Sequence, residues 1–263
     1  MAAPPVLVQV LRERRRSLAG WAVAFAAVCG MYTSIYPYMA EMNLQALLEA
    51  LPREMIEALG YDDMSSAAGY VGSATYGLVA FALLMVFAIG NGAALLAGHE
   101  ESGALELELT SPLPRAAIYI QRLGALWAQI TALVAVVFAV TLTLDLAQGL
   151  GIPTLDLAAA TLQLWLLIGL FGSLAFAAGA ATGRRGIGLG VAATLAVVSW
   201  MLNAIGPTIG LEWMSSISPV GWYMDSNPIT RGFHPVDALL LALAAALVIA
   251  AGLRRFVRRD LMT

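Results

Sequence analysis

"YVGSATYGLVAFALLMVFAIGNGAALLA", from Tyr70 to Ala97, contains not one charged residue. A surface helix of a soluble protein keeps a polar face; this run has none. At about 1.5 Å per residue it is long enough to cross the ~30 Å hydrocarbon core of a bilayer. The rest of the chain agrees. Of its 263 residues 60% are hydrophobic and 12% charged, against about 25% charged in an ordinary soluble domain. Mean hydropathy is +0.80. The expected fold class is an all-α polytopic membrane protein, with a single transmembrane domain spanning residues 1–263.

Working outward, five more apolar runs join 70–97 as spans: 17–38, 116–144, 157–182, 186–205 and 236–253. The first follows Arg12, Arg14, Arg15 and Arg16. It is too long for a signal-peptide core and has no small-residue cleavage site after it, so it reads as an uncleaved span. Two flanking pieces have the pattern of short amphipathic interfacial helices. Residues 1–16 place Val6 and Val10 one turn apart ahead of the arginines, as in a helix lying on the cytoplasmic membrane face. The outer loop 39–69 sets Leu44, Leu47, Leu48, Leu51, Met55 and Leu59 at helical spacing, with Pro52 as a kink. The stretch from Pro207 to Pro235 is rich in turn formers and aromatics and suits a segment that dips back toward the membrane.

All fourteen basic residues are arginine. Twelve lie at the amino terminus, the second-to-third connection, the fourth-to-fifth connection and the carboxyl terminus; only Arg53 and Arg231 lie in the other three connections. The positive-inside bias therefore predicts that both termini are cytoplasmic. Absent lysine and abundant alanine suit a GC-rich bacterium and its plasma membrane.

The same inventory excludes several chemistries. Without lysine there is no Walker A site and no Schiff base. Cys29 is the only cysteine and falls in an apolar run, so its expected role is packing. His99 and His234, the only histidines, belong to opposite faces and cannot share a metal site or a catalytic dyad. That leaves an intramembrane enzyme as the weak rival class. The expected metal and cofactor count on this chain is none, and nothing suggests nucleic acid. No ionisable group sits at mid-span, which argues against ion coupling. Thr75, Asn91, Gln129, Gln163 and Asn203 are the candidate substrate-path residues, with inter-helix hydrogen bonding as the alternative use. Small residues repeat at Gly69, Ser73 and Gly77, at Gly179 and Gly183, and at Gly186 and Gly190. Packing within one subunit is favoured over a subunit interface.

Beyond Ala97 the character changes abruptly: "ESGALELELTSPLPR" runs from Glu101 to Arg115. A lone strand here would have no partner for its backbone. A helix over about Gly103–Thr110, capped by Ser102 and stopped by Pro112, and a solvated loop stand level on spacing alone. "EESGALELELTSPLPRAAIYIQR" resembles the segment that follows the second span of ABC-2-type transporter permeases, through Glu100, Glu101, Gly103, Leu105, Glu106, Leu109, Pro112 and Arg115. Ala104 stands for the usual threonine, Glu108 for a leucine, Pro114 for a serine, and Arg122 near a lysine. The closing "FVRRDL" and Ser218–Pro219 are similar to that family too.

The resemblance implies a six-helix permease fold of the type V exporter kind, with 98–115 as the cytoplasmic coupling segment. The eight matching residues would then be the ATPase-coupling set. It implies two copies of a cytoplasmic ABC ATPase as partners, carrying ATP and Mg. It further implies a second permease copy or a paralogous permease in the same bilayer, and transport outward. An accessory or scaffold membrane protein without transport is the remaining alternative.

Overall fold

The computed structural model describes residues 6–41, 66–102 and 114–259. The expected outer-loop helix residues Leu44 to Leu59 and the expected helix over Gly103–Thr110 lie outside these residues. Within them the chain is helical and contains no strand. In chain order the helices are α1 (Val6–Glu41), α2 (Ala67–Leu95), the short α3 (Ala97–Glu101), α4 (Arg115–Gln148), α5 (Thr154–Thr182) and α6 (Arg185–Thr208). Three short pieces follow, α7 (Trp213–Ser216), α8 (Pro219–Met224) and α9 (Pro228–Arg231), then α10 (Pro235–Arg258). Six of these, α1, α2, α4, α5, α6 and α10, are long and apolar enough to cross a membrane.

Local chemistry sets the ends. Pro114 and Pro153, in extended conformation, start α4 and α5, and Pro235 opens α10. Proline suits a helix start because its missing N–H would have no intrahelical partner there. Gly149 and Gly183 end α4 and α5 in the left-handed region, each donating its N–H back to the last turn. At the α4–α5 turn Asp145 is buried, and its Oδ1 accepts from Ile152 N at 3.0 Å.

The boundaries differ from the sequence reading in two instructive places. Residues 1–16 were expected as a separate surface helix, but α1 runs unbroken from Val6 through the arginines into the first span. Arginine is a good helix former and nothing between Arg16 and Ser17 breaks the ladder. Val6 and Val10 are buried, and Leu7 N donates to Gln121 Oε1 at 3.4 Å, so this end of α1 packs on α4. The second difference is inside α2, where Val71–Ala80 is π-helical. A π stretch of this length is rare.

α5 is the central span. It packs against α2, α4, α6 and α10, while α1 leans on α4. Its seam with α2 is very close: a Cβ on Gly92 would lie 2.3 Å from the carbonyl oxygen of Gly172. On the α4 side Trp127 and Trp165 meet edge to face at 4.7 Å. The least enclosed spans are α1, α6 and α10. Here the small-residue reading needs correcting. Gly179 packs on Ala97 and Ala93 within the subunit, but Gly186 and Gly190 of α6 face open space.

Hydrogen bonds define two ends of the bundle. Arg14, His99, Glu100, Arg115, Arg185 and Arg259 gather at one, here termed the basic end; Asp156, His234 and α7–α9 stand at the other.

Candidate functional site

The candidate coupling segment, 98–115, leaves the bundle through α3 and returns through α4, both at the basic end. Of its eight sequence-predicted residues the structure describes Glu100, Glu101 and Arg115; Gly103, Leu105, Glu106, Leu109 and Pro112 lie outside the described residues. The three described residues all bond to other elements of the bundle. Glu100 Oε1 forms an ion pair with the Arg259 guanidinium. Arg115 Nη1 donates to the Arg259 carbonyl at 2.7 Å. Glu101 Oε1 accepts from Arg185 N at 2.8 Å, at the start of α6. The two charges of the ion pair are only 14% and 16% exposed, so water screens them less than it would an open surface pair. Gly183 makes room for them. Its φ is +71°, and a Cβ there would lie 2.7 Å from both Arg259 Nη1 and Glu100 Oε1.

Two more arginines stiffen this end. Arg122 is buried two turns into α4 and donates from Nη1 to the Leu95 carbonyl at the end of α2. Arg14 of α1 donates to Asn91 Oδ1 in α2. The basic ends of α1, α2, α4, α6 and α10 are thus joined by side-chain bonds across the segment's root.

The five candidate path residues are not brought to one place. Thr75 is buried and pairs with Thr33 of α1 at 3.3 Å. Asn91 accepts from Arg14 and donates to the Phe87 carbonyl at 3.0 Å. Gln163 accepts from Ser226 at 2.8 Å and donates to the His234 carbonyl at 3.4 Å. Asn203 donates to Met224 Sδ at 3.5 Å, and its Oδ1 is buried with no partner among the described residues. Gln129 is buried with its Nε2 similarly unmatched. Thr75, Asn91 and Asn203 thus each bond to another helix, and Gln163 bonds to the connections on either side of α9.

At the far end, α7–α9 fold back onto the bundle. Val220, Tyr223 and Ile229 are buried, and Tyr223 OH donates to the Tyr76 carbonyl in the π stretch at 3.2 Å. Ser218 is the anchor. It caps α8 by accepting from Gly221 N at 3.1 Å and donates to the Ser199 carbonyl at 2.7 Å. Ser199 Oγ in turn lies 2.8 Å from Ser218 Oγ and accepts from Val220 N at 3.0 Å. A small cavity lies where α8 and α9 meet the π stretch of α2, lined by Gly72, Ser73, Tyr76, Tyr223 and Asn227 among others.

Sequence reasoning missed the role of Arg259. It flagged "FVRRDL" only as a terminal signature, and no local pattern links a residue there to Glu100, 159 positions away. Among the described residues no group of histidine, cysteine and carboxylate side chains suits a metal ion.

A bundle with six helices long and apolar enough to cross a membrane is a multi-pass membrane protein. The family model described as ABC-2 family transporter protein matches residues 9–261, and the chain belongs to that family. It is accordingly a permease subunit of an ABC transporter, a membrane subunit that lacks the ATPase site and associates with an ABC ATPase. No curated protein matches the chain.

Proposed function

We propose that this chain is the membrane half of an ATP-driven exporter in a bacterial plasma membrane, with both termini cytoplasmic. Two copies of a separate ATPase, each using ATP and Mg, press on the segment 98–115 of two permease copies. Closure of the ATPases on ATP moves that segment, and the spans rearrange to open a path outward. The observation that carries this reading is the placement of the segment's root. It emerges between α2 and α4 at the arginine-rich end, the end the positive-inside bias assigns to the cytoplasm. Coupling requires an element with two arrangements that a partner can bias, and a short polar connection tied to several spans suits that. A second permease copy is supported by the open faces of α1 and α6, where Gly20, Gly186 and Gly190 have nothing within 4 Å.

Affinity purification of the tagged chain in mild detergent, with ATPase activity measured on the eluate, tests the reading. An ATPase subunit should co-purify, and Glu106→Arg with Glu108→Arg should lose it, because these acidic side chains are the segment's means of meeting a basic partner. A folded wild-type chain that brings down no ATPase would leave the accessory-protein alternative in its place.

A further inference from the structure

Both strands of the coupling segment's root converge on one residue outside it. Glu100, near the start of the segment, binds the Arg259 side chain. Arg115, its last residue, donates to the Arg259 main-chain carbonyl. Arg259 is the residue just past α10, whose other described bond returns to Arg255. Gly183, at the α5–α6 turn, lies directly against the ion pair, and Glu101 holds the first N–H of α6. Covalently the segment reaches only α2, through α3, and α4. Through Arg259 and Glu101 it also reaches α10 and α6.

We propose that Arg259 is a positioning residue that staples the two ends of the coupling segment together and ties them to the last span. Movement of the segment then passes to α10 and α6 as well as to α2 and α4. This rests on the coupling reading above. The chemistry is suited to transmission rather than to plain stability. Losing one partner of a partly buried pair strands the other charge. Glu100 Oε2 and Arg259 Nε already lack partners among the described residues. A shift of the segment therefore acts on the single Oε1–guanidinium contact of the pair and on the Arg115 bond to the Arg259 carbonyl, and Arg259 must follow or those bonds must break. Glu100 and Glu101 are thereby engaged within the subunit.

Two measurements test this, and they fail separately. In the first, the purified permease alone is compared with Arg259→Ala by amide hydrogen exchange. Exchange at 100–102 and 115–118 should quicken by about tenfold or more, while the centre of α5 stays unchanged. Equal exchange in the two proteins overturns the staple whether or not the chain is a transporter. In the second, the complex with its co-purifying ATPase carries Cys29→Ala and a reporter thiol, Leu211→Cys, in the turn just past the far end of α6. ATP should change the labelling rate of that thiol. Arg259→Glu should abolish the change while ATP is still hydrolysed, and the swap Glu100→Arg with Arg259→Glu should restore it. A merely structural arginine would lower yield and thermal stability without this uncoupling and rescue. Arg259→Gln, which keeps the bulk, should uncouple as well and serves if the reversal does not fold. An unchanged ATP response in either variant, or a swap that rescues nothing, overturns the proposal. If no ATPase co-purifies, the transmission half falls with the coupling reading and the exchange result alone stands.

Discussion

The α2–α5 seam gives a sharp prediction, because two glycines two positions apart in the same span face different surroundings. Gly90 has nothing within 4 Å of a would-be Cβ. For Gly92 the Cβ would lie 2.3 Å from the Gly172 carbonyl oxygen and 3.3 Å from Ala175 Cβ. The first obstacle is backbone, so no rotamer change relieves it. Alanine at 90 gains helix propensity, about 0.5–1 kcal/mol. Alanine at 92 gains the same and then meets an overpacking cost of about 1–3 kcal/mol as the two spans separate. The two variants should therefore differ by roughly 1–3 kcal/mol, Gly92→Ala being the weaker. At about 2–4 °C per kcal/mol for a chain of this size, that is a Tm gap of about 2–12 °C. Thermal unfolding of the two single variants, in one detergent and on one day, measures it. Equal melting temperatures would refute the claim that these spans touch backbone to backbone.

Ser218→Ala removes the cap of α8 and its two bonds with Ser199. At about 1 kcal/mol for the cap and about 0.6 for each inter-helix bond in a membrane protein, it should destabilise the chain by about 2 kcal/mol. Faster proteolysis within 207–235 than in wild type would report it. Gln163→Leu keeps size but loses the bonds to Ser226 and to the His234 carbonyl. It should lower Tm by a few degrees, about 1 kcal/mol, and leave the ATPase activity of the complex unaltered. A selective loss of substrate-stimulated ATPase activity, with Tm unmoved, would return Gln163 to the transport path.

The six spans were legible because lipid imposes one constraint on every residue of a span. Tyr70–Ala97 has no charge to betray another fate, and Pro114, Gly149, Pro153, Gly183 and Pro235 mark ends by local backbone chemistry. What stayed hidden depends on residues far apart. The Glu100–Arg259 pair joins the end of α3 to the chain beyond α10, and either residue alone reads as a solvated charge. Glu101 looked partner-facing and instead holds Arg185 N. The π stretch of α2 has no composition that distinguishes it from an α-helix. The spacing of Gly186 and Gly190 said that something approaches closely, but not whether that something belongs to the same subunit.

The central claim is that the segment 98–115 is where an ATPase acts, and site-directed cross-linking tests it most directly. In a Cys29→Ala background, a single thiol is placed at Glu106→Cys on the segment or at Leu211→Cys at the opposite end. Intact cells are then treated with a short thiol-to-amine reagent, with and without depletion of ATP. The account predicts a product between the Glu106→Cys chain and a cytoplasmic ATPase subunit, in a yield that depends on ATP, and none from Leu211→Cys. A segment thiol that reacts with no ATPase, or that is labelled from outside the cell by a membrane-impermeant reagent, would contradict it.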